Sequence, residues 1–128
     1  MTARWIKPLF LLAALYDAIL GLAVLLFAAQ LFQWFGVEPP NHVGYVQFPA
    51  LLLLIFAAMF FRIAADPVAN RALIPYGIGL KVAYAGSVFW HQAMGGVPFM
   101  WVPWAWADLV FLVLFLVAAR EVGRGAPR

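Results

Sequence analysis

Cysteine is absent from the chain, which excludes disulfides, thiol nucleophiles and Cys-based metal sites and leaves the redox compartment open. Hydroxyl side chains are nearly absent as well. Thr2 and Ser87 are the only threonine and serine, so hydroxyl nucleophiles are almost excluded. Charge is scarce at 10% of 128 residues, where soluble domains carry about 25%. There is no G-x-S-x-G, no H-E-x-x-H and no phosphate-cradling glycine loop. Any chemistry would have to use carboxylate, lysine, tyrosine or histidine as acid and base.

What is abundant is hydrocarbon. Hydrophobic residues make up 67% of the chain, and the mean hydropathy is +0.97. A soluble domain of this size could not bury that much apolar surface, so the lipid bilayer is the expected solvent. Four apolar runs, at about residues 8–32, 46–63, 73–92 and 103–121, use up the whole length. The expected fold is all-α, a four-transmembrane-helix bundle forming one integral membrane domain over 1–128. The basic residues flank apolar runs instead of clustering with stacking aromatics, which excludes nucleic acid as a partner.

The first run is longer than the roughly 7–15 residues of a signal-peptide core, and it lacks small residues at cleavage spacing near its end. It reads as a retained helix. Ala14, Asp17, Gly21, Val24 and Ala28 share one face, a small-residue stripe suited to close helix approach in lipid. A breaker-rich loop follows, with Trp34 and Tyr45 as interfacial anchors. The second run is nearly featureless, is expected to show the most surface to lipid, and carries Pro49 in its first turn or so. Asp66-Pro67 reads as an N-cap with proline at the first helical position. Pro75 leaves two starts open for the third helix: a kinked helix from Pro67, or a short interfacial piece before a start near Pro75. Gly123 is expected just past the end of the fourth helix, and Arg124 to Arg128 as a disordered tail.

The third run carries the main signal. At 100° per residue Gly77, Lys81, Tyr84, Val88 and His91 fall on one stripe that cannot face lipid. Counting about 1.5 Å per residue from the nearest flanking arginine puts Asp17 roughly 20 Å deep, Lys81 roughly 15 Å and Asp108 roughly 18 Å. All three therefore share a layer near the middle of a hydrocarbon core about 30 Å thick. Unpaired, each would cost about 2.5–3.5 kcal/mol at a helix centre. Lys81 is expected to bridge Asp17 and Asp108, with Tyr84 donating to a carboxylate. One negative charge is then left over unless a carboxyl group holds a proton. Such a layer can simply fix helix register, or it can bind a ligand or move protons.

Trp101, Trp104, Asp108, Phe111 or Leu112, and Phe115 line one face of the fourth segment. Trp90, Trp101, Trp104, Trp106 and Phe99 crowd one end, either as an interfacial belt or as the mouth of an apolar pocket. With His91 at its rim, that pocket would suit a quinone, isoprenoid, pigment or lipid. His42, His91 and Glu38 lie near the same surface without metal-ligand spacing, so neither metal nor haem is expected. Seven of the eight basic residues fall on one side of a four-span layout, which predicts both termini in the cytoplasm.

The layout resembles the small bacterial four-helix membrane proteins of the DoxX-like type. The resemblance is carried by Asp17 with Gly21, Gly36-Val37-Glu38-Pro39, the Asp66-Pro67 turn and Asp108 opening the last helix. It implies a bacterial cytoplasmic-membrane location and an association with quinone-linked oxidoreductases. Arg4 is the counterpart of the arginine that often begins the first helix there. Three functions are carried forward. The favoured one is an accessory subunit or apolar-ligand binder, within a larger membrane complex or homo-oligomer. The others are a membrane enzyme with Asp17 or Asp108 as acid, tuned by Lys81 and Tyr84, and a dimeric proton-coupled carrier.

Overall fold

The computed structural model describes residues 3–125. It is all-helical: α1 (Ile6–Trp34), α2 (Gly44–Ala65), α3 (Ile74–Met94) and α4 (Val102–Gly125). Short 3₁₀ turns, Arg71–Leu73 and Phe99–Trp101, precede α3 and α4. All four helices are long and apolar enough to cross a membrane. Their outer faces carry large apolar side chains, among them Leu12, Ile19, Leu26, Ile55 and Val110, at an exposure that water would penalise and acyl chains would not.

α1, α2 and α4 run one to four residues beyond their expected bounds at each end, whereas α3 begins one residue inside its expected start and ends two residues beyond its expected end. Pro49 lies inside α2 and not at its start. Of the two starts open for α3, the later one is found: Ile74 begins the helix, with Pro75 where its missing N–H does no harm. Asp66 does not cap a long helix. Its Oδ1 accepts from the Ala69 N–H at 3.1 Å and closes a tight turn. Asn70 locks that turn by donating to the carbonyls of Arg62 and Asp66, 3.0 Å each. Gly123 is inside α4, not beyond it. Arg124 and Gly125 are helical as well, and the rest of the expected disordered tail lies outside the described residues.

The chain folds as two antiparallel hairpins. α1 packs along α2, and α3 along α4, while contacts between the hairpins are sparse. Gly21 lets α1 come close to α2: a Cβ there would lie 3.0 Å from the Ala50 carbonyl oxygen. The hairpins are welded near the end that holds the α2–α3 turn. Phe10, Phe60, Phe111 and Phe115 meet there with Ile6, Ile63 and Ile74. The Phe10 and Phe115 rings stack at 4.9 Å between centroids. A smaller cluster of Ala28, Phe32 and Met100 joins the hairpins again near the other end. α1 departs from helical geometry at Phe27 (φ −128°, ψ 28°), five residues before Phe32 packs edge-on against Trp101. No proline or glycine stands at that break.

Candidate functional site

Between the two clusters the hairpins stand apart, and an ion triad spans the gap. Lys81 Nζ donates to Asp17 Oδ1 and to Asp108 Oδ1, 3.0 Å each. The three side chains come from α3, α1 and α4 and are almost wholly buried. This is the expected bridge. Helical spacing builds it: Lys81 lies one turn beyond Gly77 on the buried stripe, and Asp17 lies one turn before Gly21.

The ammonium is held by more than charge. Its Nζ lies 5.2 Å from the ring centroid of Tyr16, 5.6 Å from Phe60 and 5.1 Å from Phe111. Two N–H bonds go to carboxylates and the rest of the charge sits against aromatic faces. Gly77 makes room for this arrangement. A Cβ there would fall 2.5 Å from Phe60 Cε1, driving the ring into the space beneath the ammonium.

Above the triad is a cleft of about 630 Å³. α1 and α2 supply a mostly aliphatic wall that also carries Tyr16 and Tyr45, and Tyr84, Trp101 and Trp104 supply an aromatic one. Asp17 and Asp108 form its floor, while Ile19 in the middle of α1 and Pro49 in the second turn of α2, which also border it, are exposed on the outer surface. The cleft therefore reaches the outer apolar surface of α1 and α2.

Tyr84 does not donate to a carboxylate, as expected from sequence. Its hydroxyl donates to the main-chain carbonyl of Trp101 at 2.8 Å, pinning the turn that opens α4 to α3. The aromatic crowd divides. Trp101 and Trp104 border the cleft, whereas Trp90, Phe99 and Trp106 face outward as a belt would. His91 is exposed and outside the cleft lining. His42 is spent locally, its Nδ1 accepting from the Gly44 N–H at 3.0 Å. Among the described residues no three His, Cys, Asp or Glu side chains are gathered to hold a metal.

The residue that sequence reasoning passed over is Tyr16. It borders the cleft, packs its ring 5.3 Å from Phe111, and buries its hydroxyl without a partner. Asp17 Oδ2 is the other buried side-chain oxygen with no partner among the described residues. The available signal was Tyr16 next to Asp17, a second polar group at the same depth.

The fold and the site together define a protein of four helices long and apolar enough to cross a membrane, with an ion triad under an apolar cleft. No family model, curated protein or solved structure matches the chain.

Proposed function

We propose that this protein is a non-enzymatic integral membrane protein that binds an apolar small molecule in the cleft above Asp17, Lys81 and Asp108. The carrying observation is a cavity of about 630 Å³ whose walls are hydrocarbon and aromatic and whose floor is charged. That volume lies within the roughly 300–1,000 Å³ of small-molecule sites, which are mostly apolar with a few fixed polar groups. A cleft that reaches the outer apolar surface favours a ligand dissolved in the bilayer: a quinone, isoprenoid, pigment or lipid. In a larger membrane complex the protein would act as an accessory subunit.

The site is poorly suited to acid–base turnover, because Lys81 engages both carboxylates at once. The distribution of arginine and lysine favours both termini in the cytoplasm, and the bacterial inner membrane is what the DoxX-like resemblance implies. The DoxX-like likeness stays part of this reading on layout alone.

Native mass spectrometry of the protein purified in a mild detergent tests the binder. A small apolar molecule is expected with the wild type and not with Lys81→Met. Wild type stripped of every such molecule, and unable to take up any offered from the lipid extract, refutes it. Asp17→Asn and Asp108→Asn separate binder from enzyme, since a binder has no turnover to lose.

A further inference from the structure

The floor of the cleft is incomplete in two ways that one kind of ligand would complete. The first is a hydrogen bond. Asp17 is fully buried and accepts through Oδ1 from Lys81, but its Oδ2 has no donor. The neighbouring Tyr16 hydroxyl is likewise unpartnered, and both residues border the cleft. A buried acceptor without a donor has lost its hydration with nothing in return, and the loss is greater when it is charged. Lys81 does not supply the missing donor: its Nζ donates to the Oδ1 atoms of the two carboxylates and otherwise lies against the rings of Tyr16, Phe60 and Phe111. The second deficit is charge: two carboxylates face one ammonium.

Resting on the reading of the cleft as a site for an apolar small molecule, we propose that the molecule carries an amine. It would be a single-chain lipophilic amine without a phosphate, its ammonium group on Asp17 Oδ2 and Tyr16 Oη and its hydrocarbon part along the cleft. Such a head continues the alternation of charge from Asp108 through Lys81 to Asp17. Its N–H groups meet both unpartnered oxygens, and Trp104, whose ring centroid is 6.4 Å from that of Tyr16, offers it a π face. Proton balance is the same by either route. An ammonium that arrives charged pairs with the carboxylate directly, and a neutral amine takes the proton from a carboxyl group that holds one.

Other head groups fit less well. A quinone carbonyl could accept from the Tyr16 hydroxyl but brings no donor for Asp17 Oδ2 and leaves the surplus charge. A fatty acid adds a like charge. A phosphate would need a free cation, and Lys81 is engaged. An alcohol meets the hydrogen-bond demand but leaves the surplus charge, so it is the informative control.

The test compares dodecylamine, dodecanol and dodecanoic acid for binding to the protein in phosphatidylcholine nanodiscs, read by tryptophan fluorescence. The amine is expected to bind about tenfold or more tightly than the alcohol, as charge-assisted bonds imply. That preference should vanish in Asp17→Asn. Tyr16→Phe leaves the triad untouched and should weaken the amine by about three- to tenfold, as one lost hydrogen bond implies, which keeps the test decisive if Asp17→Asn fails to fold. Equal binding of amine and alcohol overturns the amine and leaves the apolar-binder reading standing. No binding by any of the three overturns the amine, and the apolar-binder reading then stands or falls on uptake from the lipid extract. An amine preference that persists in Asp17→Asn, or an amine affinity unchanged in Tyr16→Phe, also overturns the proposal.

Discussion

At the scale of single residues, Lys81 is the group on which three helices agree. Removing it leaves two carboxylates buried together with no counter-charge. Breaking a buried pair in this way costs about 3–5 kcal/mol, so Lys81→Met should lower unfolding stability by that order in a detergent or SDS titration. An apolar replacement of the whole triad is a different case, because no charge is left stranded. Asp17→Leu combined with Lys81→Met and Asp108→Leu should fold at least as well as wild type, yet retain no ligand. A triple variant that cannot fold would mean that the ions are needed for assembly beyond their mutual pairing. Tyr84→Phe removes only the bond to the Trp101 carbonyl. Its expected cost is about 0.5–1.5 kcal/mol, seen as a lower melting temperature with the triad intact.

At the scale of helices, the glycines of α3 have opposite duties. Gly77 faces the fully buried Phe60, whose ring is confined by Phe10 and Phe115 at 6.2 Å and 5.2 Å. Gly77→Ala is therefore an overpacking change worth about 1–3 kcal/mol of destabilisation. Gly79 and Gly86 have no neighbour within 4 Å of an added Cβ. Alanine at either should be neutral or raise stability by up to about 1 kcal/mol through helix propensity. Thermal melts of the three variants side by side check the difference. Equal effects would show that Gly77 is not a packing position.

At the scale of the whole molecule, two hairpins joined at both ends and parted in the middle produce a cleft that no single helix contains. Orientation is testable because the native chain has no cysteine. Asn41 and Ala69 are both exposed and lie on the loops at opposite ends of the bundle. With both termini in the cytoplasm, a membrane-impermeant maleimide added to intact cells should label Asn41→Cys and spare Ala69→Cys until the cells are opened. The reverse pattern would invert the assigned topology.

Composition alone determined the four helices, since hydropathy summed over some 20 residues is insensitive to where each side chain points. It also determined the ion triad. Three charges in otherwise apolar runs have few places to go, and helical rise puts Asp17, Lys81 and Asp108 at one depth. Tertiary structure decided the rest. Tyr84 turned to the Trp101 carbonyl because a 3₁₀ turn brings that main-chain oxygen within reach, and turn geometry is not written in residue spacing. His91 turned outward, and Trp101 and Trp104 separated from the other aromatics. The cleft, with Tyr16 and Asp17 Oδ2 unpartnered at its floor, exists because the hairpins diverge between two clusters. Divergence is a property of how helices pack against one another, and packing depends on contacts between residues far apart in the chain.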